Sequence, residues 1–202
     1  MTLPTLILAT NNKHKVAEIT AILSGMPLTV VPVSQFPGIP EVVEDGETLE
    51  ENAVKKARTI ALATGQWSLA DDTGLEVDFL DGAPGVYSAR WAGPGCTYDD
   101  NNNKLTHALT GVSRERRTAQ FRCVIALANP QGKTWTVEGS IRGYIGEQAA
   151  GTNGFGYDPI FMVPEYGMSF AELSETIKNE ISPRGKALQK AKPLISSLLC
   201  AR

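Results

Sequence analysis

Two adjacent carboxylates, Asp71 and Asp72, follow the apolar run Trp67–Ala70. The run predicts a short buried strand that ends at the acidic pair, and neighbouring side chains of an extended segment point in different directions. Paired acids are costly to bury without a cation. The pair therefore indicates either an ordinary Asp-rich turn, or a site where one carboxylate holds Mg2+ and activates water while the other is fixed by the structure.

A polar segment, Thr10–Lys15, separates the apolar run Leu6–Ala9 from residues whose apolar positions recur at helical spacing. This order predicts strand, turn and helix, and α/β proteins commonly bind ligands at the carboxyl ends of strands. Backbone N–H groups at a helix start favour an anion, and Lys13 or Lys15 would add positive charge. Because the segment lacks the glycine spacing of a P-loop, the alternative is a plain polar turn.

Acidic residues crowd a segment of eleven positions, namely Glu41, Glu44, Asp45, Glu47, Glu50 and Glu51. Most of them are expected to form a solvated loop and a negatively charged first helical turn, which the helix dipole favours. One of them could still reach a metal ion. The segment Thr48–Glu51 has the form of a capping box and predicts a helix that runs to about Thr64.

Two later segments suit a nucleotide. Gly154–Pro159 (GFGYDP) combines flexible backbone, two aromatic rings and a carboxylate, which suits a planar base, although a loop packed by its own aromatics would look the same. Lys178 and Ser182–Arg184 place two cations around a predicted helix start, which suits an anion or a carbonyl-rich base edge. Cations, paired carboxylates and a base pocket together indicate an enzyme that acts on a Mg2+-nucleotide.

The remaining pattern mixes strands and helices. Further strands are predicted at Leu28–Val33, Leu75–Leu80, Ala119–Ala128 and Lys133–Ile145. A polar helix is predicted over Thr97–Leu109, and Asn129–Gly132 is expected to join the last two strands as a hairpin. We find no internal repeat or linker, so residues 1–202 are predicted to form a single α/β domain with a mixed sheet.

The composition limits which binding partners and which cellular compartment are expected for the protein. The formal net charge of -3 gives no reason to expect DNA or RNA as a partner. Three widely spaced cysteines predict reduced thiols in a cytosolic protein, and two histidines exclude a multi-histidine metal centre. Any metal is therefore expected to have oxygen ligands, which suits Mg2+ or Mn2+. The start of the chain is predicted to be a strand and not a signal peptide, and no apolar run is long enough for a membrane span.

Six ordered motifs resemble those of the inosine triphosphate pyrophosphatase family, which comprises non-canonical purine NTP pyrophosphatases (XTP/dITP diphosphatases). The resemblance covers nearly the whole chain. Its motifs are Leu8–Lys15 (LATNNKHK), Glu51–Ala57 (ENAVKKA), Ala70–Leu75 (ADDTGL), Gly82–Arg90 (GAPGVYSAR), Gly151–Pro159 (GTNGFGYDP) and Ser182–Ala187 (SPRGKA). Six motifs in one order make a chance match very improbable.

The resemblance implies a fold and an activity. The fold would be an elongated mixed β-sheet flanked by helices, in two lobes with a nucleotide cleft between them. The activity would be hydrolysis of ITP, dITP or XTP to the monophosphate and pyrophosphate, with Mg2+ as cofactor, which keeps these bases out of DNA and RNA. The protein would be a cytoplasmic homodimer that binds neither nucleic acid nor membrane.

The resemblance also implies roles for individual residues. Glu44 and Asp72 would bind the metal, Asp72 would accept the proton of the attacking water, and Thr73 would touch the substrate beside it. The predicted phosphate-binding residues are Thr10, Asn11, Asn12, Lys13, His14, Lys15 and Lys56. The residues predicted to stack on and hydrogen-bond the base are Phe155, Gly156, Tyr157 and Asp158. The residues predicted to close on base and phosphates are Lys178, Pro183 and Arg184.

The chain departs from the family pattern at two positions. Asn11 stands where the family usually has glycine, and asparagine tolerates a left-handed backbone better than most residues, so the turn is expected to survive. Pro183 stands where the family more often has histidine, and proline donates no hydrogen bond. We therefore hypothesise that Arg184 and the neighbouring backbone discriminate between 6-oxo and 6-amino purines.

Three alternatives remain open from the sequence. A pyrophosphatase of a related fold family would act on pyrimidine or modified nucleotides. A non-catalytic nucleotide sensor would bind Mg2+-nucleotide without releasing pyrophosphate, although the intact pair Asp71 and Asp72 argues against it. An RNA-binding protein would need a basic aromatic surface, which the composition disfavours.

Overall fold

The computed structural model describes residues 3–39 and 42–200. Its strands are β1 Thr5–Leu8, β2 Thr29–Pro32, β3 Trp67–Val77, β4 Pro84–Gly85, β5 Thr118–Ala128, β6 Thr134–Ile145, β7 Phe161–Val163 and β8 Met168–Ser169. Its α-helices are α1 Lys13–Leu23, α2 Leu49–Thr64, α3 Tyr98–Ala108, α4 Glu175–Ile181 and α5 Pro183–Ile195. Within these described residues, no helix is both long enough and apolar enough to cross a membrane.

The strands form one mixed sheet with the order β2-β1-β3-β5-β6-β7-β8, and β4 pairs with β3. Strand β1 lies parallel to β2 and to β3, whereas β4 lies antiparallel to β3. Strands β7 and β8 are each antiparallel to the strand before them. The combination of parallel and antiparallel pairs confirms the predicted α/β class with a mixed sheet flanked by helices.

The chain divides into two compact units. Unit 1 contains Met1–Asp72, Cys123–Gly139 and Arg184–Arg202, and unit 2 contains Thr73–Arg122 and Ser140–Pro183. Each unit has its own cluster of buried apolar side chains. The cluster of unit 1 draws on β1, α1, β3, β5 and α5, and the cluster of unit 2 draws on β3, α3, β5, β6, β7 and the segments around α4. The nucleotide cleft implied by the family resemblance stays a prediction.

Side chains cap two helix starts in unit 1, of which the sequence predicted the cap of α2 but not that of α1. Asn12 caps α1, because its side-chain oxygen accepts the backbone N–H groups of His14 and Lys15 at 3.0 and 3.3 Å. Thr48 caps α2 by accepting the N–H of Glu51 at 3.1 Å. Glu51, however, accepts the N–H of Glu47 and not that of the cap, so only half of the predicted capping box forms.

The sequence prediction was wrong about strand β3. Trp67–Ala70 and Leu75–Leu80 were expected to be separate strands with a turn at the acidic pair, but β3 runs without interruption from Trp67 to Val77. The residues after Val77, from Asp78 to Leu80, form a 3-10 turn. The strand passes through Asp71 and Asp72, whose buried carboxylates are paired with cations: Asp71 with Lys15 and Arg184, and Asp72 with Lys56.

The hairpin and the polar helix were predicted correctly. Strands β5 and β6 are joined by a turn in which Asn129 donates its N–H to the carbonyl of Lys133 at 3.0 Å. Thr97 caps α3 with a complete capping box, since Thr97 accepts the N–H of Asp100 and Asp100 accepts the N–H of Thr97. Helix α3 of unit 2 therefore has a defined start. This helix contacts the loop that contains Gly156.

Candidate functional site

Asp71 is the centre of a buried ion-pair network in unit 1. Its side chain is fully buried, and Oδ2 lies 2.9 Å from Lys15 Nζ and 3.1 Å from Arg184 Nη2. Arg184 Nε also donates to the same oxygen at 3.2 Å. Burial alone would raise the pKa of Asp71, but Lys15, Arg184 and Lys56 outweigh burial and hold the pKa well below the usual range of an aspartate. Asp71 is therefore the carboxylate that the structure fixes.

Arg184 is committed to this network. Its guanidinium is buried and spans Asp71 and Glu18, whose Oε2 accepts from Nη1 at 2.5 Å. Burial would lower the pKa of Arg184, yet Asp71 and Glu18 outweigh burial and raise it. Sequence reasoning missed Glu18. Its position one helical turn after Lys15 in α1 was the available signal.

Lys56 joins the second carboxylate to the acidic loop of unit 1. Its ammonium lies 2.5 Å from Glu44 Oε1 and 3.3 Å from Asp72 Oδ1, and it donates to the backbone carbonyl of Asp71 at 2.7 Å. Burial would lower the pKa of Lys56, but the charges of Asp72, Asp71 and Glu44 outweigh burial and raise it. The two carboxylates predicted to bind the metal thus meet at one ammonium.

The environment of Asp72 suits a cation. Burial raises the pKa of Asp72, Lys56 opposes this increase, and the nearby Glu44 adds to it. Among the described residues, no hydrogen-bond donor reaches the buried Oδ2 atom of Asp72. A buried carboxylate oxygen in this state carries a desolvation cost that a metal ion would offset.

Two carboxylates are few for a metal site. Over residues 3–39 and 42–200, no cluster of three or more His, Cys, Asp or Glu side chains could hold a metal ion. Mg2+, however, is commonly bound by one or two carboxylates together with substrate phosphates and water. Glu44 and Asp72 fit that ligand set. Glu41, a further acid of the same loop, lies outside the described residues.

The loop that carries Glu44 is tied to helix α2. Asn52 accepts the backbone N–H of Gly46 at 2.8 Å, and a side-chain carbon added at Gly46 would lie only 2.8 Å from that Asn52 oxygen. The loop therefore packs closely against the first turns of α2 at Gly46, which lies two residues after Glu44. Sequence reasoning quoted Asn52 only as part of a motif and missed its role in fixing this loop.

The first loop, between β1 and α1, is partly closed on itself. Asn12 donates its N–H to Thr10 Oγ1 at 3.2 Å and uses its own side chain to cap α1. Two amides of the first helical turn are therefore already occupied, and an anion would rely more on the lysines than the sequence alone suggested. Asn11, Lys13 and His14 are exposed. Among the described non-glycine residues only Asp81 has a positive φ, so the turn does not need the left-handed tolerance of Asn11.

In unit 2, the loop Gly154–Pro159, which is predicted to contact the base and is called the base loop below, is held by an ion pair. Asp158 Oδ2 accepts from Lys178 Nζ at 2.5 Å and from the backbone N–H of Phe155 at 3.1 Å. The carbonyl of Asp158 accepts the N–H of Ala171 at 3.2 Å. Asp158 and Lys178, which were both predicted to contact the nucleotide, therefore form an ion pair, and Asp158 shapes the loop as well.

The two aromatic rings of this loop differ in exposure. Tyr157 is 5% exposed, belongs to the apolar cluster of unit 2, and donates its hydroxyl to the carbonyl of Ser88 at 2.9 Å. Burial raises the pKa of Tyr157. Phe155 is half-buried, and its ring centroid lies 5.9 Å from that of Tyr98. Only Phe155 thus keeps a partly exposed ring for stacking.

Helix α3 supports the same loop, a role that sequence reasoning missed. Asn102 donates from Nδ2 to the carbonyl of Gly156 at 3.0 Å. The neighbouring Asn101 accepts the N–H of Ala92 at 2.7 Å. The repeated asparagines of α3 were visible in the sequence. Nothing local indicated that Asn102 contacts Gly156, which lies 54 positions further along the chain.

Comparison with known proteins identifies the family of this chain. The family model of the Ham1 family matches residues 6–194. A protein of Desulforamulus reducens named dITP/XTP pyrophosphatase is 54% identical over 193 residues, with 96% of each chain covered. A protein of the same name from Geobacter sulfurreducens is 53% identical over 183 residues, covering 91% of this chain and 92% of that one.

The chain belongs to the Ham1 family.

A solved Ham1 protein from Coxiella burnetii has the same fold, with a TM-score of 0.89 and 38% identity over 96% of this chain and 100% of that one. Membership of the Ham1 family confirms the family identified from the six motifs. Thr73 and Pro183, the two remaining predicted site residues, are half-buried and buried respectively. The roles assigned to all the site residues stay predictions.

The ion pair between Asp158 and Lys178 lies directly over Gly154. Adding a single methyl group at Gly154 is therefore expected to lower the stability of the protein considerably. Gly154 has φ +82°, and a side-chain carbon there would lie 2.0 Å from Asp158 Oδ2 and 2.1 Å from Lys178 Nζ. We expect Gly154→Ala to separate the ion pair and to lower stability by about 2–4 kcal/mol, measured by urea unfolding.

Gly156→Ala is the matched control for Gly154→Ala. Gly156 also has a positive φ of +66°, but a side-chain carbon there would meet no atom within 4 Å. It therefore reports backbone strain alone, which costs about 1 kcal/mol. Equal losses in the two variants would contradict the proposed clash.

Proposed function

We propose that this chain hydrolyses non-canonical purine nucleoside triphosphates (ITP, dITP and XTP) to the monophosphate and pyrophosphate. Such an activity would keep these bases out of DNA and RNA. The observation that carries the proposal is the convergence of Glu44, Asp72 and Lys56 at one point of unit 1, which suits a metal and phosphate. The high identity to proteins named dITP/XTP pyrophosphatase supports the substrate class.

Asp72 is proposed to bind Mg2+ and to accept the proton of the attacking water. Its buried Oδ2 oxygen has no donor among the described residues, and the burial that raises its pKa makes it a better proton acceptor than an exposed aspartate. Glu44 would be the second carboxylate ligand. Mg2+ would neutralise negative charge on the phosphates. The attacking water would break the bond between the α-phosphorus and the bridging oxygen, and pyrophosphate would leave.

The cations of unit 1 would then bind the polyphosphate. Lys56 is close to both carboxylates, and Lys13 is exposed on the first turn of α1. Lys15 is paired with Asp71, which orients its ammonium but also competes with phosphate for it. Together they would stabilise the charge that develops on the leaving pyrophosphate.

For the base, we propose that Phe155 is the stacking surface of unit 2. Its ring is half-buried, whereas the Tyr157 ring is part of the apolar cluster. Lys178 and the loop backbone would contact the edge of the purine. Because the guanidinium of Arg184 spans Asp71 and Glu18, we propose that Arg184 acts on base selection mainly by positioning its neighbours. Pro183 supplies no donor of its own.

A nucleotide panel tests the proposed function. Pyrophosphate release would be followed with ITP, dITP, XTP, dATP, dGTP and dCTP in the presence of Mg2+. We expect the first three to be preferred over dATP in kcat/KM by at least about a hundred-fold, since a site built on directed hydrogen bonds rejects a 6-amino group strongly. Preference for dCTP would indicate the pyrimidine alternative, and binding without pyrophosphate release would indicate a nucleotide sensor.

We also propose that the protein is a cytoplasmic homodimer. The family resemblance supports the dimer, and three cysteines that form no disulfide are consistent with a reducing compartment. Sedimentation equilibrium would test the dimer, since a mass of 21.7 kDa would show a monomer.

A further inference from the structure

The ammonium of Lys56 lies between the two carboxylates that are proposed to bind metal. It contacts Glu44 Oε1 at 2.5 Å and Asp72 Oδ1 at 3.3 Å. Its third donor goes to the backbone carbonyl of Asp71 at 2.7 Å. All three N–H bonds of this ammonium thus have acceptors, and the side chain is buried.

This arrangement makes Lys56 a counter-ion for both carboxylates. Two acids and one ammonium leave less net negative charge to attract a divalent cation than two acids alone. A metal bound by Glu44 and Asp72 would also lie close to the ammonium, and like charges a few ångströms apart repel strongly when buried. A divalent metal and Lys56 are therefore expected to compete.

The surrounding residues keep the carboxylates in place when the ammonium moves. Asn52 and Gly46 hold the loop that carries Glu44 against α2. Asp72 is fixed within β3. Lysine, by contrast, has a flexible four-carbon stem that allows its charge to change partners. Lys56 is thus the movable member of the cluster.

We propose that Lys56 competes with the divalent metal for Glu44 and Asp72, so that the chain binds the metal weakly until nucleotide phosphate draws the ammonium away. The nucleotide part of this inference rests on the proposed function. Metal and nucleotide binding are then coupled, and by linkage each strengthens the other by the same factor.

Mn2+ binding to this chain without nucleotide tests the competition. Free Mn2+ would be measured by electron paramagnetic resonance in the wild type and in Lys56→Gln. We expect Lys56→Gln to bind Mn2+ about tenfold more tightly, because it removes one positive charge within about 4 Å of the carboxylates. Unchanged or weaker Mn2+ binding in Lys56→Gln would overturn the proposal.

Lys55→Gln is the matched control, since it removes the same charge from the neighbouring position of the same helix. Lys55 pairs with Asp45 at the surface, where 40% of its side chain is exposed. We expect a change in Mn2+ affinity of less than about twofold. A gain equal to that of Lys56→Gln would mean that net charge alone, and not the position of Lys56, sets the affinity, which would also overturn the proposal.

A second variant and a second measurement complete the test. Lys56→Met keeps a long side chain without charge, and the same gain in Mn2+ affinity is expected if Lys56→Gln fails to fold. A non-hydrolysable ITP analogue should raise Mn2+ affinity by a larger factor in the wild type than in the Lys56 variant; an equal factor would contradict the coupling. If the analogue does not bind at all, the proposed function fails, while the comparison without nucleotide still decides the competition.

Discussion

Asp72→Asn is expected to lower the kcat for pyrophosphate release from ITP by about a hundred-fold to ten-thousand-fold. The amide cannot accept the proton of the attacking water and is a poorer ligand for Mg2+, so both proposed roles of Asp72 are lost. The side chain is of nearly equal size, and the buried Oδ2 atom has no donor among the described residues whose loss would disturb the fold. Steady-state kinetics and nucleotide affinity by calorimetry would be measured together.

The control for Asp72→Asn is Asp45→Asn, which neutralises an exposed acid of the nearby acidic loop. Asp45 is paired with Lys55 and has no proposed role in catalysis. We expect its kcat to stay within about twofold of the wild type. Nucleotide affinity measured without divalent metal should remain in the Asp72 variant, because the coupling between metal and nucleotide is then absent. If Asp72→Asn kept most of the wild-type rate, another group would have to be the base.

Asp71→Asn is expected to produce the largest loss of stability, about 3–5 kcal/mol. Asp71 is the fully buried partner of both Lys15 and Arg184, and its neutralisation removes the carboxylate that these two cations share, although Glu18 stays paired with Arg184. Removing one member of a buried ion pair is costly because the remaining charge is uncompensated. The free energy of unfolding from urea titration at pH 7 is the measurement.

The exposed pair of Asp78 and Arg142 supplies the control for Asp71→Asn. About half of the Asp78 side chain is exposed, and it also accepts a hydrogen bond from Thr118. Asp78→Asn is expected to cost about 1 kcal/mol or less, because exposed pairs are screened by water and salt. A similar loss in both variants would show that the buried network contributes no more than a surface pair.

The stabilisation by Asp71 should disappear in acid. Its pKa in the folded protein lies below that of an aspartate in the unfolded chain, which is about 3.9. The contribution is therefore complete above about pH 5 and declines as the pH falls towards the folded pKa. The difference in unfolding free energy between wild type and Asp71→Asn should accordingly be largest near neutrality and shrink below about pH 4. A difference that does not depend on pH would show that the carboxylate charge is not responsible.

The local features of this protein could be predicted from its sequence. The cap of α2 at Thr48 was predicted because capping depends on residues within three positions of each other. The hairpin turn at Asn129 was likewise predictable from a short local motif, and the family was predictable from the order of six motifs.

The tertiary structure alone decided how the charges are paired. The adjacent acids Asp71 and Asp72 look alike in the sequence, but one is neutralised by an arginine 113 positions away and the other by the lysine of α2, 16 positions away. Both paired acids lie within β3, where sequence reasoning expected a turn. Likewise, Tyr157 is buried in the apolar cluster of unit 2, where the backbone carbonyl of Ser88, 69 positions away, accepts its hydroxyl hydrogen bond. Sequence supplies the charged and aromatic groups, whereas burial and long-range partners, which fix their pKa values and their availability to ligands, exist only in the folded chain.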